Sequence, residues 1–498
     1  ASRTLLREIA GINATSATSV ASMVGLQQWN GGGRINGSDY DPQDWGRKFL
    51  PTSGSSAYID LDHCEVCIPE VLSAYDHVAA WHAMLRIVRA AQASANGRLR
   101  DGQRLHVLVN NSDGKSHSYG SHLNVMMSRV AWNRLFHRHL HYLEFLVAFQ
   151  ASAIILTGQG KVGAENHAPP VPYQIAQRAD FIETICGEQT TYRRPIVNAR
   201  DESLAGKSRD LARLHCIFFD SALAHGSCLL RIGPLQIVLA MIEAGAVNPR
   251  LALDDPVEAV QRWSHDPTLK ARARMLHGSP LTAIELQFLF VDAAERFVAD
   301  GRCDGIVPRA VDIVAFWRQT LSWLEARNVD ALARRLDWVL KQRTIERVLD
   351  AQPRLSWTSP EIKVVDLLYS SLDADEGLYW QLDTAGAVEH VVPEARVAEL
   401  MESPPPDTRA WTRAQLLRRL PAESIDSIDW DGLVVRRGWR NGVPLYRRID
   451  LGDPLAGTRP ENEETFRRCH DLDALLDALG ASPAAPRQRS AWTNAAYA

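Results

Sequence analysis

The sequence predicts an α+β protein in which a large mixed domain is followed by a small C-terminal domain. Residues 57–70 are β-rich and alternate between apolar and polar types, which is the pattern of a strand. Residues 208–350 carry apolar side chains mainly at helical spacing. The run Pro404–Pro406 marks a domain boundary. The predicted divisions are a main domain at 1–400, a small domain at 401–475 and a disordered tail at 476–498.

Composition excludes several classes of protein. The 498 residues include 55 basic and 59 acidic side chains, and the net charge of −4 argues against a strongly basic nucleic-acid binder. The longest apolar run, Phe145–Thr157, is interrupted by Gln150 and predicts a buried segment, not a membrane span. Seven scattered cysteines and an N-terminus without a signal-peptide core predict a cytoplasmic protein with reduced thiols.

The remaining elements follow from local patterns. Residues 14–56 are rich in Ser, Thr, Gly and Asn, which predicts a loop with one short helix near Val20–Trp29. Asn441-Gly442 predicts a tight turn within an antiparallel unit. The other predicted elements are helices at 73–95, 137–157 and 409–420, strands at 105–110 and 125–127, and the antiparallel unit at 429–449.

Three motifs resemble functional sites but have simpler interpretations. Gly158–Gly163 matches a dinucleotide-binding fingerprint with Asp180 downstream, yet the segment before it is too long for a strand, so a glycine turn is favoured. His137 and His141 share a face if the segment is helical, but a solvated face is favoured over a metal site. Cys64–Cys67 lacks a second cysteine pair, which favours two small thiols over zinc.

A series of separated stretches carries the most information, and its order is specific. Together these stretches resemble the family of the Pup ligase and the depupylase (deamidase of Pup), relatives of glutamine synthetase, from about residue 57 to 450. Three features are more similar to the depupylase branch than to the ligase branch. They are the sequences of residues 177–181 and 264–268 and the five-residue spacing between Asp60 and Glu65. The stretches are Tyr58–Glu65, Pro69-Glu70, Asn110–Lys115, Tyr119–Asn124, Gln174–Phe181, Arg194–Glu202, Arg213–His215, Ser264–Thr268, Leu336–Trp338 and Pro405–Ala410.

The resemblance implies a curved antiparallel sheet cradle of glutamine-synthetase type, packed with helices. In such a cradle ATP and Mg²⁺ meet the C-terminal Glu or Gln of a small protein. Mg²⁺ takes hard oxygen ligands, and arginines stabilise charge on phosphates. The implied partners are therefore a Pup-like protein or a paralogous subunit, with neither nucleic acid nor membrane. ATP and Mg²⁺ are implied if the protein is active, and no cofactor is needed if it is not.

Residue by residue, the resemblance assigns a role to eight positions. Asp60 matches the catalytic Asp of the family. The positions of metal ligands are Glu65, His122 and His215, and the positions that contact nucleotide or phosphate are Arg200, Arg178, Asn124 and Arg409. Structural alternatives stay open, because Arg178 and Asp180 could form an ion pair and His215 could be a core histidine. Two acids in a strand of alternating burial are otherwise costly, which favours function for Asp60 and Glu65.

Three positions depart from the family pattern. The family's first strand reads Gly-Ile-Glu-x-Glu, and its best counterpart here places Asn13 and Thr15 at the two glutamates. The family's His-Glu-Asn strand carries Leu123 in place of Glu. The loss of three carboxylates predicts a crippled Mg–ATP site.

Two hypotheses follow. In the favoured one the chain is a non-catalytic or weakly catalytic homologue that binds a Pup-like protein or an active paralogue. The alternative is an active ATP-dependent ligase or amidase that works at a C-terminal Glu or Gln through Asp60, Glu65, His122 and Arg200. A ligase for small metabolites is a third option that rests on the implied fold alone.

Overall fold

The computed structural model describes residues 1–13, 45–206 and 209–484. Strands lie on both sides of a long helical stretch between residues 225 and 419, so the α+β prediction is confirmed. The strands are β1 Ile12–Asn13, β2 Trp45–Phe49, β3 Ser56–Asp60, β4 His63–Cys67, β5 Leu123–Ser128, β6 Lys161–Val162, β7 Tyr173–Gln174, β8 Ile182–Gly187, β9 Arg194–Asn198, β10 Leu211–Cys216, β11 Ile425–Asp429, β12 Gly432–Arg440, β13 Val443–Asp450 and β14 Ser482–Ala484.

Most of the helices lie in the middle of the chain, and the others precede or follow the groups of strands in sequence. They are α1 Ser2–Glu8, α2 Ala74–Asn96, α3 Arg129–Asn133, α4 Leu140–Thr157, α5 His225–Glu243, α6 Pro256–Ser264, α7 Ala283–Ala299, α8 Ala310–Glu325, α9 Val329–Ala333, α10 Asp337–Ala351, α11 Pro360–Tyr369, α12 Leu378–Thr384, α13 Glu394–Glu402, α14 Arg409–Arg419, α15 Arg459–Arg468 and α16 Leu472–Ala478. A π-helical turn lies at Arg134–Arg138, and 3-10 turns lie at Ala179–Phe181 and Ala422–Ser424.

The described strands form five hydrogen-bonded groups. The first four strands make an antiparallel sheet in the order β1-β2-β3-β4, and β5 pairs with β10 antiparallel. Strands β8 and β9 are parallel, whereas β6 and β7 form a short antiparallel pair. The C-terminal strands make an antiparallel sheet in the order β11-β12-β13-β14, with Asn441 and Gly442 at positive φ in its turn. The predicted C-terminal antiparallel unit and its turn are therefore confirmed.

Two hydrophobic cores organise the molecule. The larger core runs from Leu5 to Leu400 and includes α4 and α5, which are long and apolar enough to cross a membrane but lie mostly inside the protein. The predicted buried segment at 145–157 is thus a core helix. The smaller core joins residues between Trp411 and Ala481, and Phe49 from β2 packs into it. The division into domains at residue 400 stays a prediction.

Several predicted elements need correction. Residues 57–70 form a hairpin, not one strand, because Leu61 and Asp62 take positive φ of 46° and 66° and reverse the chain. Residues 105–110 make only an isolated bridge at Leu108, and 45–49 form a strand where a loop was predicted. Of the predicted disordered tail at 476–498, residues 476–478 end helix α16 and 482–484 form a strand, so this part of the prediction is wrong. The predicted helix at 20–29 and the tail beyond residue 484 lie outside the described residues.

The structure supports the simpler interpretation of the three motifs that resemble functional sites. Gly158–Gly163 follows helix α4 and contains the two-residue strand β6, with no helix directly after it, so the dinucleotide interpretation is excluded. His139 has extended backbone and separates the π-helical turn from α4, so His137 and His141 do not share one helix. Cys64 and Cys67 are free thiols on β4, and residues three apart in a strand project to opposite faces.

Candidate functional site

The β3–β4 hairpin places Asp60 and Glu65 on one face of the first sheet. Tyr58 is paired with Glu65, and Asp60 is paired with His63. Partners in an antiparallel pair project to the same face, and neighbours alternate, so these four side chains share a face. The opposite face carries Ile59, which is fully buried in the larger core. The core therefore fixes the register that brings the two predicted acids together.

Tyr58 holds Glu65 in position. Its Oη donates a hydrogen bond to Glu65 Oε2 at 2.7 Å, and the Arg47 guanidinium lies 4.1 Å from the centre of its ring. Burial, followed by the nearby Cys67 and Glu65, raises the pKa of Tyr58 far above its usual range. The phenol is therefore a permanent donor to the carboxylate at physiological pH.

The β5–β10 pair builds the second wall from His122, Asn124, Arg213 and His215. Asn124 and His215 are direct cross-strand partners, and Asn124 Oδ1 lies 2.8 Å from His215 Nδ1. Arg213 Nη1 donates to Asn124 Oδ1 at 2.6 Å and lies 3.1 Å from His215 Nδ1. The His122 ring stands edge-on to that of His215, with centroids 4.8 Å apart.

Both imidazoles in this wall have a pKa below the usual value. Burial, Arg213 and Arg200 together lower the pKa of His215 to about 3. Desolvation, His215 and the neighbouring arginines lower the pKa of His122, and this side chain is exposed to solvent, so the neighbouring charges are the firmer cause. The wall is therefore a place of positive potential, in which a neutral imidazole is favoured over a cationic one.

Leu123 does not belong to this wall, and the interpretation of Leu123 as a lost metal ligand is wrong. His122 and Asn124 project to the site, so the residue between them projects to the opposite face. Leu123 is paired with Cys216 and is 3% exposed within the larger core. A carboxylate at this position, on this backbone, points into the core.

Asn13 is also placed away from Glu65. It is paired with Lys48, which is itself paired with Ala57, so it lies on the face opposite to Tyr58 and Glu65. Lys48 Nζ on that face donates to the carbonyl groups of Leu6 and Ile9. The interpretation of Asn13 as a lost ligand beside Glu65 is therefore corrected, and Thr15 lies outside the described residues.

Arg178 is buried behind the site and links its two walls. Its Nη1 donates to Ser118 Oγ at 3.1 Å and to the carbonyl of Tyr119. The Tyr119 ring lies 4.7 Å from that of His63 on the hairpin. Burial and repulsion by Arg194 lower the pKa of Arg178 to about 10, which leaves it cationic at neutral pH.

The alternative in which Arg178 pairs with Asp180 is wrong. Asp180 lies 2.7 Å from His265 Nε2 and 3.4 Å from Lys161 Nζ, and it accepts from Gln174 Nε2 at 2.7 Å. Burial raises the pKa of Asp180, but these partners lower it below the usual value overall. The stretches at 158–163, 174–181 and 264–268 therefore form a buried scaffold beside the site.

The guanidinium of Arg200 is not paired with any side chain of the described residues. It follows β9 and is partly exposed, and its backbone N–H donates to Asn198 Oδ1. Among residues 1–13, 45–206 and 209–484, its guanidinium makes neither a hydrogen bond nor an ion pair. Arg200 nevertheless lies close enough to His122 and His215 to lower the pKa of both. It is the residue at this wall best prepared to meet an anion.

Arg409 has a structural role that the sequence prediction missed. Its Nε donates to Glu70 Oε1 at 2.6 Å, and its Nη atoms donate to the carbonyls of Leu451 and Leu204. Arg413 donates to both oxygens of Glu70. Phosphate binding by Arg409 requires these contacts to break, so its assignment as a phosphate ligand is not supported.

Three residues of the site lie in the stretches that carry the resemblance, but no role was predicted for them. Arg213 is two positions before His215, a spacing that places both on one face of a strand, so alternation could have identified it. His63 and Tyr119 join the two walls through ring contact across distant segments. No local pattern marks such a pair.

The second wall by itself does not supply the ligands of the magnesium that the resemblance implies; the carboxylates of the site, Asp60 and Glu65, stand on the β3–β4 hairpin. In the part of the chain that the structure describes, no three His, Cys, Asp or Glu side chains are grouped so as to hold a metal ion. Mg²⁺ requires hard oxygen ligands in octahedral geometry. The second wall instead offers two imidazoles, an amide and arginines.

Comparison with known proteins agrees with this architecture. The family model described as Pup-ligase protein matches residues 9–434. The chain is 34% identical to a depupylase of Acidothermus cellulolyticus over 86% of this chain and 82% of the relative. It is 36% identical to a Pup deamidase/depupylase of Mycolicibacterium smegmatis over 86% and 81%, and 34% identical to a Pup–protein ligase of Kribbella flavida over 78% and 84%.

Solved structures support the fold. The Pup ligase PafA in complex with ADP superposes with a TM-score of 0.73 at 22% identity, covering 91% of this chain and 95% of PafA. The complex of PafA with Pup gives a TM-score of 0.74 at 21% identity, covering 96% and 90%. The predicted fold is therefore confirmed. Because the family model spans most of the sequence and the relatives exceed 30% identity over most of their length, this chain belongs to the Pup-ligase family.

Proposed function

We propose that this chain is a non-catalytic or weakly catalytic member of the Pup-ligase family. In this proposal it binds nucleotide and a Pup-like small protein, or an active paralogous subunit, in the cytoplasm. The observation that carries the proposal is the composition of the second wall, where arginines and neutral imidazoles stand around Asn124 and the described residues contain no three-ligand metal group. The two corrected positions, Asn13 and Leu123, no longer enter the argument.

Electrostatics supports this proposal. A positive potential favours the binding of phosphates and disfavours a divalent cation beside them. Transfer of a phosphoryl group relies on metal ions to neutralise the charge that develops. A site with no carboxylate ligands on its second wall is expected to keep affinity for the anion and lose most of the turnover.

The relatives support the choice of ligands. PafA is described in complex with ADP and with Pup, and the curated relatives are named depupylase and Pup–protein ligase. Transfer of these ligands to the present chain is part of the proposal. The C-terminal Glu or Gln of the protein partner is expected to approach the hairpin face that carries Asp60 and Glu65.

A second candidate function is an active amidase at a glutamyl side chain. It is favoured by one observation, the common face of Asp60 and Glu65 in the β3–β4 hairpin. In that reaction Asp60 takes a proton from water, and the water oxygen bonds to the amide carbon. The C–N bond then breaks, and the departing amine nitrogen receives the proton.

A comparison of turnover separates the two functions. Purified protein is incubated with ATP, Mg²⁺ and a Pup-like peptide ending in Glu or Gln, and both phosphate release and conjugate formation or cleavage are followed. Asp60→Asn tests the candidate base, and Asp62→Asn in the adjacent exposed turn is the matched control. The proposal predicts equal, near-background rates for all three proteins. Mg²⁺-dependent turnover that only Asp60→Asn abolishes contradicts it and establishes the second function.

A further inference from the structure

A groove beside helix α2 shares no residue with the candidate site. It has a volume of about 560 Å³ and runs along one face of α2, from Arg86 to Asn96, with the loops at 103–104 and 372–375 on its other side. We propose that this groove binds a short peptide with free ends, through a guanidinium, a carboxylate and an amide oxygen that the described residues leave unsatisfied. The inference does not depend on the proposed function.

The dimensions of the groove suit a short peptide. From Arg86 to Asn96 the helix rises by about 15 Å, which an extended peptide of about four residues would span. Ala90 and Ala93 lie on this face and are exposed, and their small side chains leave room for a second backbone to approach. The volume also falls within the roughly 300–1,000 Å³ that is typical of sites for small ligands.

Most of the charged groups around the groove are already paired. Arg86 donates to both carboxylate oxygens of Glu394. Arg104 donates to Asp373 Oδ2 at 2.7 Å and lies 3.1 Å from Glu376 Oε1. These pairs hold the sides of the groove in place, and they offset much of the charge of its three arginines.

Two groups of opposite charge are left over. The Arg89 guanidinium lies 5.0 Å from the centre of the Trp380 ring, and it makes neither a hydrogen bond nor an ion pair with the described residues. Asp375 is exposed, and within the same part of the chain its carboxylate has no such partner either. A guanidinium that contacts an aromatic ring can still donate to a carboxylate from its edge. The groove therefore fits a ligand that carries both charges.

Gln92 adds an unsatisfied acceptor to the lining. It is 2% exposed and is the most deeply buried polar residue of the groove, yet its Oε1 accepts no hydrogen bond from the described residues. Its Nε2 lies 3.2 Å from the carbonyl oxygen of Leu105 and 3.4 Å from Asp373 Oδ2. Both of these neighbours are acceptors, so the amide cannot be turned over to satisfy its oxygen. A buried acceptor without a donor is costly, and a ligand N–H would remove that cost.

A short free peptide matches all three groups at once. Its C-terminal carboxylate is expected at Arg89, its N-terminal ammonium at Asp375 and a backbone N–H at Gln92 Oε1. An internal segment of a folded protein lacks the two charged ends, and a free amino acid lacks the peptide N–H. The combination of unsatisfied groups therefore specifies the class of ligand.

Calorimetric titration of the full chain with tri-alanine at pH 7 tests the site, because the methyl side chains of this peptide add no charge. N-acetyl-tri-alanine and tri-alanine amide each lack one charged end, and free alanine lacks the peptide N–H. Arg89→Gln and Asp375→Asn remove the two charges, and Ala93→Phe fills the groove. The matched control is Arg100→Gln, because Arg100 is exposed, has no side-chain partner in the described residues and does not line the groove.

Tri-alanine is expected to bind the parent at least about tenfold more tightly than either capped peptide or alanine. Arg89→Gln weakens tri-alanine about tenfold and removes its advantage over the amide, whereas Asp375→Asn removes its advantage over the acetylated peptide. Ala93→Phe abolishes binding, and Arg100→Gln leaves it unchanged. Melting temperatures equal to that of the parent establish that the variants are folded.

Four results overturn the inference. Tri-alanine does not bind the parent, or it binds Ala93→Phe as tightly as the parent. The capped peptides bind as tightly as the free one, so the charged ends are not recognised. Alanine binds as tightly as tri-alanine, so the ligand is an amino acid and not a peptide. None of these results bears on the proposed function, because the titration contains neither ADP nor a peptide that ends in Glu or Gln.

Discussion

Glu70 joins the end of the β4 segment to the C-terminal part of the chain, and its replacement by Gln tests that connection. Its carboxylate accepts from Arg409 and from Arg413, whose side chain is fully buried. Burial raises the pKa of Glu70, but the two arginines lower it to about 2 from the usual 4.5. That difference corresponds to about 3 kcal/mol of stability.

The cost of breaking a buried ion pair gives the same magnitude for the contribution of Glu70 to stability. Removing one partner of a buried ion pair leaves an uncompensated charge and costs about 3–5 kcal/mol. Because the pKa of Glu70 is lower in the folded protein, its contribution is complete above pH 4.5 and is lost as the pH falls toward 2. We therefore expect Glu70→Gln to destabilise the protein by about 3 kcal/mol at pH 7 and by progressively less in acid.

Chemical denaturation at a series of pH values measures this effect. Glu463→Gln is the matched control, since Glu463 forms an exposed pair with Arg459, and its unfolding midpoint is expected to stay at the parent value. If Glu70→Gln unfolds at the parent midpoint at pH 7, or if the difference does not shrink between pH 4.5 and 2, the buried pair does not stabilise the connection as described.

Three further predictions concern the scaffold. Gly160→Ala is expected to cost at least about 3 kcal/mol of stability, because its Cβ would lie 1.8 Å from Tyr173 Oη at a φ of 79°. The control Gly163→Ala has open space around its Cβ and is expected to cost about 1 kcal/mol. Equal melting temperatures of the two variants would contradict this prediction. Leu123→Glu is expected to destabilise the core by about 3 kcal/mol or more without creating Mg²⁺ affinity, and calorimetry that finds a new Mg²⁺ site would disprove the assigned face. Burial raises the pKa of Asp337 to about 6, above its usual 3.8, so the protonated carboxyl favours the folded state. The parent is therefore expected to lose stability relative to Asp337→Asn as the pH rises from about 4 to 6. A difference in unfolding free energy that stays constant over this pH range would refute the prediction.

The sequence predicts the chemistry of the hairpin better than its geometry. Asp60 and Glu65 were identified as a pair, and the cross-strand register indeed places them on one face. The reversal at Leu61 and Asp62 was missed because neither residue in that order is a typical turn signal, although both adopt positive φ. Tertiary packing of Ile59 in the core fixes the turn where local preference does not.

The predicted losses of metal ligands depended on the face of the strand to which each side chain projects, and the sequence motif does not give that face. A motif match states which residue occupies a position, but not whether the strand turns that position toward the site. Leu123 lies between His122 and Asn124, and alternation alone predicts that it projects away from them. Likewise, Arg409 could be identified as an important residue from its motif, but its partner Glu70 is more than three hundred positions away in sequence. Only the folded chain defines such a contact.

The proposed function requires a site that binds the phosphates of a nucleotide but holds no divalent cation beside them. A crystal structure of the ADP complex prepared with Mn²⁺, with anomalous data at the manganese edge, measures both parts at once. We expect the ADP phosphates within hydrogen-bond distance of the Arg200 guanidinium and no anomalous peak beside Glu65, His122 or His215. A manganese ion held by those side chains, with the phosphates bound to it, contradicts the proposed function.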